Sequence, residues 1–457
     1  MRFCWCATVR SPTGWRPTVA KGRTLAEWSN WARTVSSRPR EVVMAHDVPH
    51  LQLLCEESAL SGRRVKAVGA GHSFTGIAEP TDVLVRMDRL SGIRSVDEAS
   101  GRVWVHAGTP LHVLGPELQR RGLAMTNLGD IDRQTIAGAV STGTHGTGAA
   151  FTGIAGQLTG VELVVADGSV LRVTDTEHAD LLPAVALSLG ALGIVTALQI
   201  QCVPSFLLHA VEAPASFDET LDGIDERVDG TDHFEFYWFP HTDRVLTKRN
   251  TRVSGESRRA PLPAWRSRVD DDLLSNKLFG VLNKAATRAP RIIPAMNQVS
   301  ARALSRREFT DWSYRVFASQ REVVFRESEI AVPRSALPGV LRELRSWLQR
   351  RVEVVAFPVE VRFAAPDELW LSTAYERETG YIAIHQYVAR DHRRYFEAFW
   401  AMLDGLGARP HWGKMHELDA AELRSRYPRF DDFTALRDRL DPQRVFTNPY
   451  LDRVLGR

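Results

Sequence analysis

Two glycines, a histidine and a serine follow an apolar run in VGAGHSF, Val68 to Phe74. Residues of these types at this spacing can cradle a phosphate with backbone N–H groups, ligate a metal, attach a cofactor through the imidazole, or only turn the chain. As a Rossmann dinucleotide fingerprint the stretch is incomplete. Gly69 and Gly71 follow a strand and Asp88 lies downstream, but Phe74 stands in the third glycine's place and would hold a helix away from its strand. What survives is a Gly-x-Gly backbone free to turn its N–H groups inward on an anion. A second small-residue segment, TIAGAVSTGTHGTG from Thr135 to Gly148, adds glycines and hydroxyls. Together the two loops can clasp a long diphosphate cofactor, with Ser73, Ser141, Thr142 and Thr144 as side-chain donors.

Far downstream, FPVEVRF sets Glu360 and Arg362 two residues apart. On a strand both point to one face, as a solvated charge pair or as one wall of a polar pocket. His411 and His416 lie close together, but no His-Glu-x-x-His pattern or third ligand accompanies them, so no metal site is predicted.

The chain that must position these groups has 457 residues, 44% apolar and 25% charged, which suits a globular protein of two or three domains. Its 58 basic and 55 acidic residues are mixed along the sequence, which argues against a nucleic-acid partner. Cys4, Cys6, Cys55 and Cys202 match no paired zinc spacing, and we read a reducing compartment. The uncharged run from Leu181 to Ile200 has the length of a membrane span, yet Pro183, Gly190 and Gly193 break it into a short helix, a turn and a strand. Residues 1–25 read as a flexible N-terminal extension.

From about residue 26 to 203, β-branched runs such as RRVKAV, DVLVRMD and GRVWVHAGT alternate with helical stretches such as DVPHLQLLCEESALSG, which predicts an α/β domain. Residues 204–457 change character. The aromatic strand text HFEFYWFPHTDRVLTKRN leads to a basic stretch, then to strands REVVFRESEIAVP, VEVVAFPVEVRFAA, LWLSTAY and YIAIHQYV with helices between them. This predicts a second domain built on a mixed sheet with helices on one face.

VGAGHS, NLGDIDRQTIAGAVSTGTHGTG, LGALGIVT, HWGK and LDPQRVFTNPYL, in that order, resemble the sugar-1,4-lactone oxidases of the vanillyl-alcohol-oxidase flavoprotein superfamily, over nearly the whole chain. The resemblance implies an α+β, two-domain vanillyl-alcohol-oxidase-type fold: an FAD-binding α/β domain and a mixed-sheet substrate (cap) domain whose segment 411–451 returns to the flavin site. It implies FAD held by Gly69, Ala70, Gly71, His72 and Ser73, by the segment containing Thr135, Gly138, Ser141, Thr142, Gly143, Thr144 and His145, and by Gly193, Ile194 and Val195, with His72 bonded covalently to the flavin. Gly129, in NLGDI, stands where related dehydrogenases carry alanine, and implies an oxidase.

Glu360 and Arg362 are then implied to line the substrate pocket, with Lys414 of HWGK and His385 of AIHQY at matching positions. The implied reaction is oxidation of an aldono-1,4-lactone, of the D-arabinono or L-gulono type, at a secondary carbinol. Hydride passes to flavin N5 and dioxygen becomes hydrogen peroxide. The alternatives are an alditol oxidase acting on xylitol or sorbitol, and a lactone dehydrogenase that passes electrons to a cytochrome or quinone. The expected partners are a sugar lactone or polyol and dioxygen or another electron acceptor. The expected location is cytoplasmic with no transmembrane segment, peripheral membrane association being left open.

Overall fold

A computed structural model describes residues 27–253, 257–263, 279–318, 323–350 and 353–457; the extension read at 1–25, with Cys4 and Cys6, lies outside these. The first layer is a parallel sheet of three strands, β1 (Glu41–Met44), β2 (Val65–Val68) and β3 (Val83–Arg86), ordered β1-β3-β2. A helix over Val48–Ser61 links β1 to β2. Asp47 caps its start by accepting the His50 N–H, and Gly62 ends it in the left-handed region that glycine adopts without strain. VGAGHSF begins at the last residue of β2.

A second, antiparallel sheet follows, of β4 (Ile93–Asp97), β5 (Arg102–His106), β6 (Leu158–Val164), β7 (Val170–Thr174) and β8 (Ile194–Gln201), ordered β7-β6-β8-β5-β4. The uncharged run resolves into a short helix, Leu182–Val185, then turns, then β8. No helix among the described residues is long and apolar enough to cross a membrane.

The third sheet has eight strands: β9 (Leu207–Ser216), β10 (His233–Trp238), β11 (Arg244–Val253), β12 (Arg307–Trp312), β13 (Phe325–Pro333), β14 (Val359–Ala364), β15 (Thr379–Tyr387) and β16 (Arg409–Pro410). Their order is β12-β9-β11-β10-β14-β15-β13-β16, and every neighbouring pair is antiparallel. The sequence predicted a mixed sheet here, and the connections explain the difference. Each β-helix-β unit is split: β11 inserts between the parallel strands β9 and β10, and β15 inserts between β13 and β14.

A further correction concerns LWLSTAY, residues 369–375, which forms turns and not a strand. Asp367 accepts the Leu369 N–H and the Ser372 hydroxyl, and Ser372 accepts the Ala374 N–H, so local side-chain bonds take the groups a ladder would need. Trp370 and Leu371 are buried there as anchors, in the core of the first domain.

Strict alternation gives the large sheet two unlike faces. Phe234, Phe236, Trp238, Val359, Val361, Phe363, Ile382 and Ile384 point to one side, where they pack under a helix over Leu337–Gln349 and another over Arg393–Ala401. The opposite face carries the intervening residues of the same strands, among them Glu235, Tyr237, Glu360, Arg362 and His385, and it turns toward the first domain. Leu423, Phe430, Phe433, Val445 and Leu455 are buried with residues 43–202, so the end of the chain completes the first core.

Arg252, on β11, ties the two domains together. Its guanidinium lies between the rings of Phe151 and Phe206, at 4.3 and 4.4 Å from their centroids, and Nη2 donates to the Thr126 carbonyl. Arg252→Ala should lower unfolding free energy by about 1–2 kcal/mol, read from denaturant midpoints. An unchanged midpoint would show the contact to be energetically idle.

Candidate functional site

Gly69, Ala70, Gly71, His72 and Ser73 form one lip of a cleft of about 900 Å3; Thr135, Gly138, Ser141, Thr142, Gly193, Ile194 and Val195 also line it. Local sequence explains the closeness of its two loops. Thr135 caps the helix Ile136–Ser141 by accepting the Gly138 N–H, and a β-carbon on Gly69 would stand 2.3 Å from that same hydroxyl. Only glycine fits at position 69. Gly71 has φ +67°, and the N–H groups of residues 70–73 donate to no protein acceptor among the described residues. The next, of Phe74, donates to the Gly413 carbonyl at 2.7 Å. Four free donors on a left-handed turn make an anion nest.

The remaining residues read as cofactor contacts do not line this cleft. Gly143 packs against Leu187, and Thr144 shares a hydrogen bond with the Gln134 amide. Gly129 is buried, and a β-carbon there would meet the His145 carbonyl and the Thr144 methyl, both at 3.1 Å. His145 lies at the seam between the domains, its ring stacked on Tyr381 at 3.6 Å and its Nε2 3.3 Å from Glu329.

That seam is the polar face of the large sheet. Glu360 accepts from the Tyr237 hydroxyl at 2.7 Å and is in direct contact with Arg362. Arg362 also pairs with Glu235 and with Asp130 of the first domain, each at 3.2 Å, and Lys248 holds Glu235 at 3.1 Å. Toward β13, Glu327 pairs with Lys414 at 2.5 Å and lies 3.5 Å from His385 Nε2; His385 Nδ1 faces the Pro358 carbonyl. Lys414 also stands over the Phe74 ring, at 5.1 Å, so HWGK touches both the cofactor loop and the sheet.

Five carboxylates, Asp130, Glu235, Glu327, Glu329 and Glu360, thus meet Arg362, Lys248 and Lys414. Burial resists ionisation of Glu327, but Lys414 and His385 outweigh it and hold the carboxyl at about 2. Burial likewise opposes the Arg362 charge, and Glu360, Asp130 and Glu235 raise its pKa above the ordinary value. Burial, then Lys414 and Arg133, push His72 down to about 4, so its imidazole is neutral at pH 7. Its ring stacks on Trp31 with centroids 5.8 Å apart.

Sequence spacing offered no third metal ligand beside His411, but the fold supplies two: the ligand atoms of His145, Glu329 and His411 lie within 4.8 Å of one another. The Gly413 N–H donates to His411 Nδ1 at 3.0 Å, which leaves the neutral ring's proton on Nε2 and favours a hydrogen-bonded group over a cation site. His416 is engaged elsewhere, with the Tyr450 hydroxyl at 2.9 Å.

With this geometry in view, the comparisons are specific. A profile described as D-arabinono-1,4-lactone oxidase matches residues 198–454. The chain belongs to that family. Residues 39–174 match a profile described as FAD binding domain. The chain is 41% identical to L-gulono-1,4-lactone dehydrogenase of Mycobacterium tuberculosis over 94% of its length and 99% of the relative's. It is 31% identical to mouse L-gulonolactone oxidase over 95% of its length and all of the relative's. Cholesterol oxidase from B. sterolicum shares the fold, with a TM-score of 0.77 at 17% identity over 96% of this chain and 99% of that one.

The protein is therefore an FAD-dependent oxidoreductase of the sugar-lactone family, with the two-domain vanillyl-alcohol-oxidase-type fold. The cleft fits the cofactor on its own terms: free N–H donors for a diphosphate, glycines that leave backbone exposed, and a lysine, Lys66, in the wall. Lys66 and the acidic partners Glu235, Glu327 and Glu329 escaped sequence reasoning. The pair Glu327 and Glu329 carried the same two-residue spacing as Glu360 and Arg362, and would have been found by it.

The Lys414–Glu327 pair makes a signed prediction. A depressed carboxyl contributes stability above its unfolded pKa near 4.5 and loses it as pH falls toward 2. Lys414→Met should cost about 3 kcal/mol at neutral pH, and the gap to wild type should narrow from pH 4.5 downward in denaturant titrations. A gap that does not change with pH would rule the pair out as its source.

Proposed function

We propose that the protein oxidises an aldono-1,4-lactone at a secondary carbinol, with dioxygen as electron acceptor. The observation that carries the substrate reading is the buried polar face of the large sheet: paired carboxylates and cations suit the hydroxyls and ring oxygen of a sugar lactone. FAD supplies the two-electron acceptor when bound.

The residues divide the remaining work. Glu360, fixed by Arg362 and Tyr237, accepts hydrogen bonds from substrate hydroxyls and orients the carbinol. His385 is the proton acceptor. With Nδ1 turned to the Pro358 carbonyl, its Nε2 has no hydrogen-bond donor and lies beside the Glu327 carboxylate, which stabilises the imidazolium that forms. Arg362 and Lys414 offset negative charge developing on the carbinol oxygen. His72, neutral and stacked on Trp31, is the point of covalent flavin attachment.

Dioxygen as acceptor rests on the family resemblance at Gly129 and not on the cleft, which Gly129 does not line. The dehydrogenase reading has an observation of its own in the name of the M. tuberculosis relative, and one experiment separates the two. Anaerobic titration with L-gulono- and D-arabinono-1,4-lactone should bleach the flavin while xylitol and sorbitol should not, and air should restore the colour within the turnover time. Bleaching by lactone with slow recolouring would replace the oxidase reading by the dehydrogenase one; bleaching by alditols alone would displace the lactone. His385→Asn should lower kcat about 10^2- to 10^4-fold in steady-state turnover. His72→Ala should release yellow flavin into an acid supernatant that stays colourless for wild type.

A further inference from the structure

Lys66 is a charge in the middle of an otherwise apolar strand, β2, and only 5% exposed. Its ammonium donates to the carbonyls of Gly190 and Phe446, both at 3.3 Å, and touches no carboxylate among the described residues. Those bonds are long for a charged donor. An ammonium has three N–H groups, so one is left over. Lys66, Gly190 and Phe446 all belong to the wall of the cofactor cleft, with Gly69, Gly138 and Gly193.

A buried ammonium served only by two carbonyls is costly. Burial, then Arg437, lower its pKa to about 7, and Asp441 opposes them only in part. Asp441 is committed elsewhere, its carboxylate accepting the Val445 and Phe446 N–H groups. Cys55, which faces Asp441, is held neutral by burial.

We propose that Lys66 is the counter-charge of the cofactor's diphosphate, a cation left under-neutralised in the cleft wall until the anion arrives. This rests on FAD binding and not on the identity of the substrate. The anion nest of residues 70–73 supplies only partial charges; Lys66, on the strand that leads into that nest, adds a full one to the cleft wall. Adenine and ribose, being neutral, gain nothing from a charge that the diphosphate needs. The cation consequently disfavours the empty fold and favours the filled one, the reverse of what a lysine retained for packing would do.

The test uses the full chain expressed under riboflavin starvation, so that no flavin is attached at His72, and ADP-ribose, a diphosphate diester with no group titrating near neutrality. Calorimetry at pH 8 in two buffers of different ionisation enthalpy should show uptake of roughly one proton on binding, as the lysine regains its charge. In Lys66→Met the uptake should vanish, ADP-ribose affinity should fall at least tenfold, adenosine affinity should hold, and the empty protein should unfold at a higher midpoint. Lys66→Arg should keep most of the affinity. Wild-type binding without proton uptake, or an equal loss for adenosine and ADP-ribose, overturns the assignment. The wild-type measurement decides even if Lys66→Met does not fold.

Discussion

Everything at the seam depends on the buried guanidinium of Arg362. It is the meeting point of Glu360 on its own strand, Glu235 on the neighbouring strand and Asp130 from the other domain. A cation this deep is tolerable only because carboxylates surround it, and the carboxylates are tolerable only because it is there. The arrangement continues outward through cross-strand neighbours, Lys248 beside Glu235, Glu212 beside Lys248 and Arg307 beside Glu212, so charge alternates across five strands. A one-residue slip of any of them would drive charges into the apolar face and leave their partners bare. Electrostatics here fixes register as firmly as the Phe and Val residues on the other side.

The cofactor cleft is built on a different principle. There the selective force is absence: Gly69 is glycine because the Thr135 hydroxyl needs the space, and the loop after it leaves its N–H groups without protein acceptors among the described residues. HWGK joins the two regimes, since Gly413 accepts from the cofactor loop while Lys414 pairs with Glu327 on the sheet. The cleft and the charged face are thereby joined by a few residues of chain.

Much of this was legible in the sequence, where local rules govern. Gly-x-Gly after an apolar strand, two-residue spacing of Glu360 and Arg362, and the Pro and Gly breaks in the Leu181–Ile200 run all act within a few residues, and the structure places them as those rules require. What the sequence hid was long-range. That His411 would face His145 and Glu329, or that Asp130 would cross to Arg362, follows from how two domains meet. The turn at 369–375 was misread because Asp367 and Ser372 bond to the backbone more cheaply than a ladder could. The mixed sheet was misread because a helix between two strands says they run parallel, but not that a third strand lies between them.

The burial of residues 423–455 in the first core has a consequence for the order of assembly. Strands synthesised early, β2 among them, stay without part of their packing until residues 423–455 are made, and the cleft wall itself includes Phe446. A nascent chain that stops short of this segment therefore has the glycine loops but no finished container. Flavin can meet a finished cleft only once this segment has packed, and removing it would act on a cavity whose lining residues other than Phe446 lie more than two hundred positions away.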